Sequence, residues 1–366
     1  MTAMKPALDL FIDANILFFV AFCLWALVQS VIGRGVFRHN YPAQLRFMKI
    51  ALLVTLASPG FAHLAVALGE SLWPKTPITL SDIAVAAYLR GDIDLPAVQF
   101  EALLNSRGNL LERLFEGEAP LLSALLAVLV LGALAQAARI GFSALRIFGA
   151  VQHSYLWRRI GRVDIRLSDR VSVPFAARGL RRRYVVLPST LVTQPRDLRY
   201  ILAHELQHLR DGDVEWELAF ELARPLMYWN PAFGLWKRSF DRLRELSCDQ
   251  KVIRRNRIAA RDYMECLLGF CERQVRHPLP RALHVAFFRG QDRSAKRALQ
   301  GRLLALAHQP SGAGLTLLVP GLAVVLALAV SLAAATVRQP GDWSQDRLML
   351  STIVNLERLA AINSRN

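Results

Sequence analysis

His204, Glu205 and His208 stand together in the run Ile201-Leu-Ala-His-Glu-Leu-Gln-His-Leu209. Two histidines four positions apart on a helix project from one face. That spacing lets two ring nitrogens reach a single Zn2+ at about 2.0–2.1 Å. Glu205, one residue on, can take a proton from a water held there and later give it to a leaving amine. A pattern this short also arises by chance, so the remainder of a site must be found elsewhere. A catalytic zinc takes three protein ligands and keeps a fourth position for water. No histidine follows soon after His208, the next being His277. The run Arg244-Glu-Leu-Ser-Cys-Asp249 instead supplies Glu245 as the third ligand. Asp249, one turn further along, can accept the spare N–H of a zinc histidine and fix its tautomer, and Asp213 is a second candidate for that role. Tyr263, His277 and His284 are candidates for stabilising an oxyanion.

These residues need elements that hold them. Pro195 opens a predicted helix over 197–209, with Asp197 near its positive end. A long amphipathic helix is expected over 232–255, where Phe233, Trp236, Phe240 and Leu243 fall at helical spacing and read as core. Arg224-Pro225 and Asn230-Pro231 punctuate the chain between them. Residues 183–188 read as a short strand. Zinc peptidases commonly hold substrate as a strand added to a sheet edge, so Arg183, Tyr184, Val185 and Val186 are expected to line the substrate if this strand is an edge, the alternative being an interior strand.

The 366 residues are 53% hydrophobic with a mean hydropathy of +0.27, too apolar for an ordinary soluble chain of this length. Four uncharged stretches are expected to cross a bilayer, at 14–33, 50–69, 119–138 and within 309–337. Loop 34–49 holds four basic and no acidic residues, loop 70–118 four basic and eight acidic, and segment 151–308 thirty basic and sixteen acidic. Lys and Arg collect on the cytoplasmic side. The expected arrangement is therefore a membrane region over 1–150 with an extracytoplasmic loop at 70–118, a cytoplasmic domain over 151–308, a fourth span, and an outward tail over 338–366. The third span is expected to run on into the cytosol as a helix. Apolar positions 348, 350, 353, 354, 356, 359 and 362 give the tail a helical period, and tail and acidic loop are expected to pack together or against an outside partner. The formal charge of +16 then belongs to cytoplasmic parts, and direct nucleic-acid binding is not expected. Four cysteines without a CxxC pair argue against disulfides and against cysteine–zinc chemistry.

Val173-Pro174-Phe175, Val186-Leu187-Pro188, His204-Glu-Leu-Gln-His208, Asp213, Trp229-Asn-Pro231, Glu245-Leu-Ser-Cys-Asp249 and Ala286-Phe-Phe288 followed by Lys296-Arg-Ala-Leu together resemble the BlaR/MecR-type membrane metallopeptidases. The resemblance covers nearly the whole chain. It implies a mostly α, multi-pass membrane protein of the bacterial cell membrane, whose cytoplasmic α+β, gluzincin-like peptidase domain lies between the third and fourth spans. It implies Zn2+ on His204, His208 and Glu245, with Glu205 as general base. It also implies signal-regulated proteolysis of a cytosolic protein, typically a DNA-binding repressor, often with self-cleavage. The tail from Arg338 holds no Ser-x-x-Lys acylation motif, so β-lactam sensing by this chain alone is not expected, and an extracytoplasmic sensor partner is a candidate. The other readings are a constitutive quality-control or maturation protease and a catalytically silent receptor or scaffold.

Overall fold

A computed structural model describes residues 4–34, 39–72, 80–106, 108–110, 113, 119–179, 181–276, 292–307, 318–337 and 345–363. The fold is mostly helical with one small mixed sheet. In chain order come α1 (Met4–Arg34), α2 (Tyr41–Leu72), α3 (Leu80–Leu89), α4 (Ala97–Leu104) and α5 (Pro120–Gln152). Strands β1 (Tyr155–Ile160), β2 (Val163–Ser168), β3 (Phe175–Arg178) and β4 (Arg183–Pro188) follow. The chain continues through α6 (Pro195–Asp211), α7 (Asp213–Met227), α8 (Pro231–Asn256), α9 (Ala260–Arg276), α10 (Asp292–Ala307), α11 (Leu318–Val337) and α12 (Gln345–Asn363).

Four spans were expected, and among the described residues two helices are long and apolar enough to cross a membrane, at Leu8–Ser30 and Pro120–Gln152. The second stretch lies in α2, and the described part of the fourth lies in α11. Side chains of α2 are described as far as residue 58 and those of α11 over Gly321–Ala333. The third stretch does run on past its uncharged part, as one helix to Gln152.

Two compact units result. The first contains residues 1–26, 49–130 and 320–366. In it the tail helix α12 meets the helices of the acidic loop: Leu350 and Val354 are buried with Val85, Ala97 and Phe100. Glu357 accepts from the Val98 N–H at 3.0 Å, and Arg358 pairs with Glu101 at 2.7 Å. Loop and tail, distant in sequence, therefore share one small apolar core, as the period of the tail suggested.

The second unit contains residues 27–48 and 131–319. Its sheet runs β1-β2-β4-β3, with β2 and β4 parallel and the outer pairs antiparallel. Alternation along β4 sends Val185 and Leu187 to one face, against Tyr200, Ile201 and Leu209 of α6, Cys248 and Val252 of α8 and Tyr263 of α9. Val186 points to the opposite face, with Phe175 and Ala177, against Ile147, Ala150 and Val151 at the end of α5. The α8 aromatics are core as expected: Phe233, Trp236 and Phe240 are buried, and Phe220 of α7 packs on both phenylalanines.

The docking role expected of Arg183, Tyr184, Val185 and Val186 is corrected by this topology. Strand β4 is interior, with β2 on one side and β3 on the other. Its N–H and C=O groups are already in two ladders and cannot take a further strand. The edges of the sheet are β1 and β3.

Candidate metal centre

Helix α6 carries the two histidines. Pro195 occupies its first turn with Asp197, where a missing N–H costs nothing and a carboxylate meets the positive end of the helix. It ends at Gly212, whose φ of +68° lets its N–H cap the His208 carbonyl. Glycine takes this left-handed conformation without penalty. The reversal starts α7 at once, with Asp213 as its first residue. The buried Asp213 carboxylate then lies 2.9 Å from His208 Nδ1.

The two imidazoles stand edge to face with ring centroids 4.6 Å apart. Their Nε2 atoms converge to 3.0 Å. Glu245 of α8 closes the triangle, one oxygen 3.6 Å from His204 Nε2 and the other 3.7 Å from His208 Nε2. Ligands about 2.0–2.1 Å from a tetrahedral metal lie about 3.3–3.4 Å from one another. The three separations bracket that value, so two neutral nitrogens and a carboxylate fit a zinc ion.

Each histidine is held from behind. His204 Nδ1 lies 2.9 Å from the Tyr263 hydroxyl, which donates to Asp249 Oδ1 at 2.9 Å. Asp249 itself is 3.4 Å from that nitrogen, so its grip on His204 passes mainly through the tyrosine. Arg302 of α10 binds Asp249 with two N–H groups, both at 2.7 Å, and reaches Glu245 at 3.4 Å. Arg244 lies 3.3 Å from Glu245 and donates to Glu217 at 2.8 Å. Occupied Nδ1 atoms leave both Nε2 atoms for a metal.

Cys248 is also here. His204, His208 and Cys248 bring ligand atoms within 4.8 Å of one another, a proximity that contrasts with the expectation of no cysteine in metal chemistry. Its sulfur, however, lies 3.4 Å from His204 Nδ1 and 3.6 Å from the His204 carbonyl, beside the nitrogen that Tyr263 already engages. Glu245 faces the side on which the Nε2 atoms converge, so Glu245 and Cys248 are both candidates for a third ligand.

The electrostatics suit a cation. Burial works against charge on both imidazoles, yet Cys248, Tyr263 and Asp249 raise His204 well above its ordinary value. Cys248, Asp213 and Glu245 likewise raise His208 to about 10. Burial alone would raise Glu245, but His204, His208, Arg302 and Arg244 hold it well below the usual carboxylate range. Asp249 is lowered in the same way, against its own burial, by Arg302 and His204.

Glu205 is half-buried on α6, between the two histidines in sequence. Of the oxyanion candidates, Tyr263 is 1% exposed behind His204 and serves that ring instead. His277 and His284 lie outside the described residues, as does Ala286-Phe-Phe288. Sequence reading missed Tyr263 as a support of His204, and missed Arg302 and Cys248 at the site. Cys248 sits between Glu245 and Asp249 in a stretch already singled out. Arg302 lies 53 residues beyond Asp249, and no local pattern marks it.

With this geometry in hand, comparison with known proteins decides the family. Residues 121–304 match the family model described as BlaR1 peptidase M56. The chain belongs to that family. It is also similar to the methicillin resistance mecR1 proteins of Staphylococcus aureus, strain Mu50 among them, and of Staphylococcus epidermidis, each 28% identical over 94 residues. That alignment takes in 25% of this chain and 16% of each relative, so the chain matches only a small part of their length. The matched peptidase region contains every residue of the cluster, from His204 to Arg302.

Proposed function

We propose that this M56 chain is a membrane-embedded zinc metalloendopeptidase that cuts a cytosolic protein in signal-regulated proteolysis. The observation that carries the reading is the convergence of His204 Nε2, His208 Nε2 and the Glu245 carboxylate, with both Nδ1 atoms engaged elsewhere. Zinc held by these three residues would supply a Lewis acid that polarises the scissile carbonyl and lowers the pKa of an attacking water. Glu205 takes the proton from that water and hands it to the amine nitrogen as the peptide bond breaks. Asp213 and the Tyr263–Asp249–Arg302 chain hold the histidine rings in their tautomers and orientations.

An extended substrate has one sheet edge close to the histidines. Strand β3 lies against α6, and its outer side is open in the sheet order. The proposal includes the four-span arrangement, with α5 and α11 entering and leaving the peptidase domain, which lies on the cytoplasmic side. Within this scheme the core shared by α3, α4 and α12 is the outward-facing part available to a signal or a sensor partner. The candidate substrate is a transcriptional repressor, or the chain itself.

Comparison of cytosolic cleavage products between wild type and Glu205→Ala, at equal protein levels and with the inducing stimulus present, tests the reading. Fragments seen only with the wild type identify the substrate. Identical fragment patterns, with and without Glu205, would exclude peptidase action by this site.

A further inference from the structure

We propose that the turn joining α7 to α8 is a re-entrant wedge seated in the cytoplasmic leaflet of the bilayer, so that the peptidase domain is anchored by its own catalytic-domain backbone as well as by its spans. This rests on the reading of α5 as a membrane span.

Residues 225–236, Pro-Leu-Met-Tyr-Trp-Asn-Pro-Ala-Phe-Gly-Leu-Trp, carry no charge, and Arg224 and Lys237 flank them. An apolar run of this length is either a core segment or an interfacial one. Exposure divides the run: Ala232, Phe233 and Trp236 are buried in the core, whereas Leu226, Trp229 and Leu235 face outward. Leu226 is 58% exposed, Trp229 44% and Leu235 46%, and the stripe continues back along α7 through Leu222 at 63% and Leu218 at 52%. Leu218, Leu222 and Leu226 recur at i, i+4 and i+8 on one face of α7, and Trp229 follows in the turn. The charged residues of α7 are engaged within the protein: Glu215 pairs with Arg178 and Arg183, Glu217 with Lys237 and Arg244, and Glu221 with Arg224.

What covers this face is indicated by Tyr228. Its hydroxyl sits against Gly132 of α5, where any Cβ would overlap it. Gly132 lies seven residues before Arg139, the first charge after the uncharged part of α5, or about 10 Å along a helix axis. A leaflet of hydrocarbon is about 15 Å thick. The turn therefore touches α5 well inside the leaflet on the Arg139 side.

Non-helical backbone tolerates that depth only if its polar groups are satisfied internally. Three N–H groups of this turn are satisfied in that way. The Asn230 N–H donates to the Met227 carbonyl at 3.0 Å, and the Phe233 N–H to the Asn230 carbonyl at 3.1 Å. The Asn230 side chain, 4% exposed, accepts from the Ala232 N–H at 3.0 Å. Pro231 has no N–H to satisfy. Helix α7 starts with Asp213, the partner of His208, so the wedge and the metal centre are opposite ends of one 15-residue helix.

The test is photo-crosslinking in native membranes with a photoreactive leucine analogue at Leu226 and Leu235. Leu134 of α5 serves as the lipid reference and Leu268 of α9, exposed on the peptidase domain, as the aqueous one. The expected result is crosslinking to phospholipid at Leu226 and Leu235 with a yield close to that at Leu134 and several-fold above Leu268. Yields at the Leu268 level while Leu134 is labelled overturn the wedge and leave α5 in the membrane. Crosslinks to a protein instead of lipid also overturn it. Absence of lipid labelling at Leu134 removes the span reading itself and the wedge with it.

Discussion

A proton and a metal compete for the same nitrogen at His208. In the metal-free chain burial disfavours the charged ring, but Cys248, Asp213 and Glu245 overcome it and raise His208 to about 10. His204 is raised as well. Below those values each ring is protonated, and a proton must leave before its Nε2 can bind a metal. Zinc affinity should therefore fall as pH falls, by up to about tenfold per proton displaced for each pH unit. Competition titrations with a chelating dye at pH 6.5 and 7.5 measure this, and a pH-independent affinity would contradict the protonation scheme. Arg302 makes a second prediction at this scale. It bridges Asp249 and Glu245 and would act on a metal through them. Arg302→Lys keeps the charge but loses the two-pronged grip on Asp249. Zinc affinity should drop by about 10–100-fold with the fold retained; an unchanged affinity would remove Arg302 from the site.

Gly212 shows how an element boundary serves the chemistry. Its φ of +68° ends α6 and starts α7 within a single residue, placing Asp213 behind His208. An added methyl has room, since the nearest atom, a Glu215 carboxylate oxygen, would be 3.8 Å away. Backbone conformation alone sets the cost. Gly212→Ala should lose about 1–2 kcal/mol of stability and weaken zinc binding through Asp213. Thermal melting with and without zinc measures both, and an unchanged midpoint would show that the turn is not needed. The neighbouring elements also show what a sequence discloses. Helix α6, strand β4 and helix α8 appear within a residue or two of their predicted ends, because proline, the aspartate of the first turn and the apolar period are local signals. The place of β4 in the sheet depends on distant partners. One signal was available: the near-continuous apolar run Tyr184-Val-Val-Leu187 is typical of a strand buried on both faces and paired in parallel. The proposed ligands His204, His208 and Glu245 are legible as a pattern of types and spacing. Tyr263 and Arg302 reach the site through tertiary folding alone.

At the scale of the whole molecule, charge and hydropathy divide the labour. Segment 151–308 is strongly basic and contains the peptidase cluster, whereas loop 70–118 is acidic and shares its small core with the tail helix α12. The positive-inside bias predicts opposite faces of the membrane for these two segments. A cysteine at Ser106 should react with an impermeant maleimide from outside, and one at Arg254, exposed on α8, only after the cytoplasmic face is opened. Reaction of both from the same side would refute the topology.

The central claim is that zinc sits on His204, His208 and Glu245. It is tested most directly by the metal content of the purified chain and of two variants, Glu245→Ala and Cys248→Ala. Glu245 faces the converging Nε2 atoms, and Cys248 lies beside His204 Nδ1. The account predicts about one zinc per chain in the wild type, most of it lost in Glu245→Ala and retained in Cys248→Ala. Zinc retained without Glu245 and lost without Cys248 would contradict it and give the third ligand position to the thiolate.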